Sequence, residues 1–352
     1  MNAPKGGFDR QQDVTLITAD AEAGIAGLPD ESVDCLVTSP PYWRLRDYAP
    51  GTWTGGSPAC RHRPAGTGAA SGDDRSRRCR CRDCGALREH PQIGLEPTAD
   101  EHVSTLRAVF YAARRVLKPR ATVWINLGDS YSTNSDGYWC ASPGQAGQPH
   151  YRPVADVPHK NLLGMPWRVA FALQSDGWIL RSAIVWHKPY ANPTPIRDRL
   201  ATRHEMIFLF VTQPDYHFTL DPTGLAYTSD RVSSHRADPV DGTASAARRT
   251  GLAVATKRPR DRDFGDVWTI RPDRSSAGHP APSPLEIPRR CIAAGSPSAG
   301  HVLDPFSGSG TTGVAARELG RRFTGIDTNA EYHEIARRRL DDVHHAEQRG
   351  AR

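Results

Sequence analysis

The stretch Asp304-Pro305-Phe306-Ser307-Gly308-Ser309-Gly310-Thr311-Thr312-Gly313 decides the fold. It follows the apolar pair Val302-Leu303 and opens a segment that reads as a helix running to Gly320, a natural C-terminal stop. Gly308 and Gly310 let the backbone pass close to a ligand with no Cβ in the way. A helix N-terminus placed there aims free N–H groups at the same ligand. Arg322 to Ile326 reads as the next strand and ends on Asp327, about 20 residues further on, where a carboxylate accepts from ribose hydroxyls. The unit has the chemistry to cradle a nucleoside, against the plainer reading of an ordinary glycine-rich βα turn. The loop lacks the Gly-x-Gly-x-x-Gly of dinucleotide dehydrogenases and the Gly-Lys-Ser/Thr of phosphate-binding loops, which argues against both.

Outward from this unit, strands and helices alternate. Val14 to Thr18, Ser32 to Thr38, Ala121 to Leu127, Trp178 to Trp186 and Met206 to Val211 read as strands. Val103, Leu106, Val109, Phe110, Ala113 and Leu117 recur at helical spacing, and Pro119 ends that helix. Pro166 to Ser175 and Pro284 to Ala294 read as helices, and Tyr332, Ile335, Ala336, Leu340 and Val343 share one face of the last helix. The pattern predicts an α/β fold: a mostly parallel sheet with helices on both faces. Two irregular insertions interrupt it. Residues 44–92 are rich in Gly, Pro, Arg and Cys and cannot bury a core of their own, and residues 213–265 are polar and basic, with a basic knot at Lys257 to Arg262. Residues 132–160, rich in Gly, Pro and Ser, read as a mobile loop.

The chain has 352 residues, 38% hydrophobic and 24% charged, with a formal net charge of +6. The balance suits a globular protein and admits a polyanionic partner. No apolar stretch approaches the ~20 residues that span a bilayer, and Met1 to Asp13 carry no signal-peptide core, so a cytoplasmic location is expected.

A second motif, Thr38-Ser39-Pro40-Pro41-Tyr42-Trp43, sits at the carboxyl end of a predicted strand, where open α/β sheets place their ligands. Two prolines fix the backbone, so a carbonyl can be aimed. The Ser39 hydroxyl and the Pro40 carbonyl can both accept from an exocyclic amino group, and Tyr42 offers a face on which an everted base stacks.

With these residues the chain resembles the S-adenosylmethionine-dependent DNA amino-methyltransferases. Asn126 to Tyr131, Trp186 to Pro189, His204-Glu205, Asp266 to Trp268 and His279-Pro280-Ala281-Pro282 add to the resemblance. The order, catalytic segment first and cofactor segment last, is that family's circularly permuted β-class. The resemblance implies a Rossmann-like methyltransferase fold. Residues 1–43 and 96–212 would form its catalytic part, 213–265 its target-recognition region and 266–345 its cofactor part. It implies that Ser39, Pro40, Pro41 and Tyr42 act on the base and that Asp304 opens the cofactor segment. Asp20 would then accept from the cofactor adenine, Asp327 would hold its ribose, and Phe306, Gly308, Gly310 and Thr311 would wrap the methionine part. The His279-Pro280 turn would pack beside it, although Ser283 departs from the family's usual aromatic there.

Ser39 at the first motif position is similar to the N4-cytosine branch, with N6-adenine as the alternative. No Pro-Cys pair exists for C5-cytosine chemistry. The implied partner is double-stranded DNA with a flipped base. A cognate restriction endonuclease, and either a monomer or a homodimer, are compatible with the sequence. A non-catalytic, zinc-bearing DNA-binding module is the competing class.

Four of the seven cysteines crowd between Cys60 and Cys84. Cys60-x-His62 followed by Cys81-x-x-Cys84 matches tetrahedral zinc ligation, with Cys79 as the competing ligand. Such a metal would be structural and would stabilise the segment 44–95, which burial cannot. Eight arginines from Arg61 to Arg88 make it basic, read either as a solvated loop or as a phosphate contact.

Overall fold

The computed structural model describes residues 8–11, 13–45, 52–62, 81–89, 92–132, 155, 157–189, 197–219, 265–272 and 283–350. The chain opens with β1 (Phe8–Gln11), β2 (Val14–Thr18), α1 (Ala21–Ala26) and β3 (Val33–Thr38). A hairpin of β4 (Thr52–Thr54) and β5 (Leu87–Glu89) follows, then α2 (Ala99–Val116), β6 (Leu117–Leu127) and α3 (Met165–Ser175). Next come β7 (Ile179–His187), β8 (His204–Val211), β9 (Val267–Thr269) and α4 (Glu286–Gly295). The chain closes with β10 (His301–Asp304), α5 (Thr311–Glu318), β11 (Arg322–Asp327) and α6 (Ala330–Gly350). No helix among the described residues is long and apolar enough to cross a membrane.

Nine strands form one sheet in the order β1-β2-β11-β10-β3-β6-β8-β7-β9. The five strands from β2 to β6 in that order run parallel. β8 is antiparallel to both β6 and β7, β9 is parallel to β7, and β1 caps the other edge antiparallel to β2. The central strands are buried on both faces, which is why they read as unbroken apolar runs. Alternate residues serve opposite cores. Leu36, Val123, Ile125, Phe208 and Phe210 pack with α1, α2 and α3, through Ile25, Leu106, Phe110 and Leu173. Cys35, Val37, Trp124, Ile207 and Leu209 pack with α4, α5 and α6, through Ile292, Val314, Ala336 and Leu340. Three helices thus cover each face, as expected of a doubly wound sheet.

Element ends differ from expectation where local chemistry intervenes. Thr98 caps α2 by accepting from Glu101 N at 3.1 Å, and the helix ends at Val116, before Pro119. Pro119 then lies inside β6, between the β3-paired residues Leu117 and Thr122, where the register shifts and its missing N–H breaks no ladder bond. The segment 44–92, expected to be irregular, contains the β4–β5 hairpin, in which Cys81 and Ala86 are buried.

Candidate active site

β3 and β10 are neighbouring parallel strands, with Val302 beside Cys35 and Leu303 beside Leu36. From β3 the chain continues toward β6, and from β10 it continues the other way, toward β11. Their carboxyl ends therefore meet at the switch point of the sheet, where open α/β folds form a ligand crevice. The loop beginning at Asp304 and the loop beginning at Ser39 emerge there side by side. Thr38 Oγ1 donates to Asp304 Oδ1 at 2.7 Å, so the two segments are joined directly.

On the β10 side, Asp304 organises its own loop. Its Oδ1 also accepts from Phe306 N at 3.0 Å, and its Oδ2 accepts from Thr312 Oγ1 at 2.6 Å. Burial pushes its carboxyl up to about 6. Gly308 and Gly310 adopt φ of +47° and +77°, the left-handed region open to glycine. A Cβ on Gly310 would lie 2.8 Å from Ala336 Cβ, so close packing on α6 also requires glycine there. Thr311 starts α5, and Arg339 of α6 donates to its hydroxyl at 3.0 Å and to Ser309 O at 2.7 Å. Phe306 is half-buried beside the core of the α1–α3 face.

Asp327, at the end of β11, accepts from Gly308 N at 2.9 Å and from Asn329 N at 2.8 Å, and burial raises its carboxyl. A carboxylate offers about four acceptor sites, so capacity for ligand hydroxyls remains. Asp20 stands exposed after β2, where its Oδ1 caps α1 by accepting from Ala23 N at 2.8 Å. Sequence reasoning did not single out His333. It lies under the loop within 3.1 Å of Thr18 Oγ1 and 3.3 Å of Ser307 Oγ, and burial pulls its imidazole down to about 4.

On the β3 side, Pro40 is buried and Ser39, Pro41 and Tyr42 are half-buried at the crevice. Trp43 anchors the loop by donating from Nε1 to Glu96 O at 2.9 Å. Arg44, buried and left-handed at φ +66°, donates from its backbone N to Gly94 O at 2.8 Å and from its guanidinium to Tyr131 O at 2.9 Å. The Tyr42 hydroxyl donates to Glu205 Oε2 at 2.6 Å and accepts from Asn126 Nδ2 at 2.8 Å. Asn126 and Glu205 belonged to the segments that carried the resemblance, but nothing local in the sequence signals that they meet Tyr42.

The hairpin region brings Cys60, His62, Cys81 and Cys84 together, with their ligand atoms all within 4.8 Å of one another. Cys60 Sγ lies 3.7 Å from Cys81 Sγ, and Cys84 Sγ lies 3.3 Å from His62 Nδ1. Zinc–sulfur bonds of about 2.3 Å at tetrahedral angles give an S···S edge of about 3.8 Å, so the donor set fits that ion. Trp53 stacks on the His62 ring at 5.0 Å between centroids and steadies it. Cys79, His279, Pro280, the basic knot at Lys257 to Arg262, and most of 132–160 and 213–265 lie outside the described residues.

A sheet of this order, with a glycine-rich loop and a rigid Pro-Pro loop sharing its switch point, is a Rossmann-like methyltransferase fold. The sequence pattern of the DNA methylase family, the N6/N4 methyltransferases, matches residues 33–338, and the chain belongs to that family. It is 34% identical over 328 residues to the Type II methyltransferase M.SmaI of Serratia marcescens, covering 92% of this chain and 90% of that one. The PvuII DNA methyltransferase (cytosine-N4-specific) superposes with a TM-score of 0.58 at 15% identity, over 95% of this chain and 90% of that one. A putative DNA modification methylase of Thermus thermophilus, complexed with S-adenosyl-L-methionine, superposes with a TM-score of 0.53 at 19% identity, over 93% and 92% of the two chains.

Proposed function

We propose that the protein methylates the exocyclic N4 of cytosine in double-stranded DNA, using S-adenosylmethionine. The observation that carries this reading is the junction of the Ser39 and Asp304 loops through Thr38. In this reading the junction brings the proposed nucleoside cradle and the proposed acceptor loop to one crevice. Ser39, rather than Asp or Asn, at the start of Ser-Pro-Pro-Tyr favours cytosine N4 over adenine N6.

Asp327 would hold the cofactor ribose, Asp20 its adenine, and the loop from Phe306 to Thr311 its methionine part. The bound cofactor supplies an electrophilic methyl on a good sulfonium leaving group. The chain's task lies with the base. A cytosine amino nitrogen is a poor nucleophile because its lone pair is delocalised into the ring. The Ser39 hydroxyl and the Pro40 carbonyl accept from its two hydrogens and favour a more pyramidal nitrogen, while Tyr42 stacks on the everted ring. Catalysis then rests on positioning and electrostatics, with no covalent enzyme intermediate: the new N–C bond would replace the sulfonium's S–C bond, and the amino nitrogen would shed its surplus proton to water.

The test is methyl transfer to mixed plasmid DNA followed by nucleoside analysis. N4-methylcytosine supports the reading, N6-methyladenine moves it to the adenine branch, and no product refutes it. Tyr42→Ala and Pro41→Ala should lose most turnover while retaining cofactor binding. Near-normal turnover in both would remove the Ser39–Tyr42 loop from the mechanism.

We also propose that Cys60, His62, Cys81 and Cys84 hold a structural zinc ion. Four protein ligands leave no open coordination position for chemistry.

A further inference from the structure

A tyrosine ring turns about its two side-chain torsions unless something holds its far end. At Tyr42 both hydrogen-bonding capacities of the hydroxyl are taken, one by Glu205 Oε2 at 2.6 Å and one by Asn126 Nδ2 at 2.8 Å. Asn126 Nδ2 also donates to the same Glu205 oxygen at 3.0 Å, which closes a three-membered ring of hydrogen bonds. The second Glu205 oxygen accepts from Lys188, whose ammonium sits 4.2 Å from the centre of the Trp186 ring. The ring of Tyr42 passes over Gly128, where a Cβ would lie 2.6 Å from Tyr42 Cε2. Asn126, Glu205 and Trp186 belong to three hydrogen-bonded strands, with Trp186 paired to Glu205 and Asn126 paired to Ile207. The holding groups are therefore fixed to the rigid sheet, whereas Tyr42 is on a loop.

We propose that Glu205 and Asn126 are positioning residues for the target base: they clamp the Tyr42 hydroxyl and set the angle of the ring on which the everted base stacks. This rests on the amino-methyltransferase reading above. A partly buried carboxylate holding a hydroxyl makes a charge-assisted hydrogen bond, and a small tilt of the platform misplaces the amino nitrogen relative to the methyl group. Glu205 touches neither base nor cofactor in this scheme. Lys188 pairs with its other oxygen.

The experiment compares Tyr42→Phe, Glu205→Ala, Glu205→Gln and the double variant Tyr42→Phe/Glu205→Ala. The readouts are kcat, KM for DNA, cofactor affinity, and fluorescence of 2-aminopurine at the target position. Glu205→Ala should lower kcat about tenfold or more and weaken the base-flipping signal, with cofactor affinity within about twofold of wild type. Glu205→Gln retains an acceptor oxygen and should recover part of the loss. The double variant should be no worse than the poorer single one, because both remove the same bond. Additive losses, an effect confined to cofactor affinity, or unchanged kcat in Glu205→Ala would each overturn the clamp. Should Glu205→Ala fail to fold, Glu205→Gln and Tyr42→Phe carry the test, and wild-type kcat in Tyr42→Phe overturns the clamp. A wild-type protein that methylates no DNA would overturn the function reading itself, which is a different result from wild-type activity with an indifferent Glu205.

Discussion

The hydroxyl of Thr38 donates to the carboxylate of Asp304 at 2.7 Å, although 266 positions separate them in the chain. Both are buried, at 3% and 4% exposure, so this bond joins the two loops of the crevice away from water. Thr38→Val should cost about 1–3 kcal/mol of stability, because it removes a partner from a buried carboxylate. Turnover should fall further than stability accounts for, and Thr38→Ser should restore both. Chemical denaturation and steady-state kinetics check this; a Thr38→Val enzyme with wild-type turnover would sever the link between junction and catalysis.

Asp304 and His333 both lose hydration on folding, with opposite pH consequences. Asp304, raised to about 6, holds its proton in the folded chain where the unfolded carboxyl, near 3.9, has released it. Its contribution favours folding below about pH 4 and fades as pH rises to about 6. His333, lowered to about 4 from an ordinary value near 6.5, favours folding above about pH 6.5 and loses that contribution as pH falls to about 4. As pH drops from neutral to about 4, the melting-temperature advantage of wild type over Asp304→Asn should widen, and that over His333→Gln should narrow. Parallel profiles would contradict these assignments.

Two glycines separate the halves of the site. Gly310→Ala combines a left-handed φ of +77° with a Cβ 2.8 Å from Ala336 Cβ, and should weaken cofactor affinity about tenfold or more. Gly128→Ala pushes into the Tyr42 ring and should lower turnover on DNA while cofactor affinity holds. Titration calorimetry with the cofactor and methyl-transfer kinetics distinguish the two; exchanged phenotypes would reverse the assignment of the loops.

Mildly purified protein should contain close to one equivalent of zinc by elemental analysis, and Cys81→Ser or Cys84→Ser should lose it. Cys79→Ser should keep it. Chelation should open the β4–β5 hairpin to trypsin, since among its described residues Cys81 and Ala86 are the buried apolar ones and supply little apolar surface. Less than half an equivalent in the wild-type protein would count against the site.

The sequence was most legible where its signals are local. β2 matches its predicted span, and β3, β8 and β11 match to within about two residues, because each carries a short apolar-rich run of strand length. Helix α1, of six residues, and β4, β5 and β9, of three each, are too short to show a period, and none was foreseen as an element. The Cys60, His62, Cys81 and Cys84 set was readable because ligand spacing is itself a local pattern, and the structure brings those four together.

The chain by itself singled out the loops proposed to carry chemistry, since glycine freedom, proline rigidity and acidic strand ends are properties of single residues and their neighbours. Only the tertiary structure decided that β3 lies beside β10, that Thr38 reaches Asp304, and that Glu205 and Asn126 hold the Tyr42 hydroxyl. Glu205 is 163 positions from Tyr42. A hydrogen bond over that separation leaves no periodicity in the sequence, because strand order, not chain order, sets which side chains can touch.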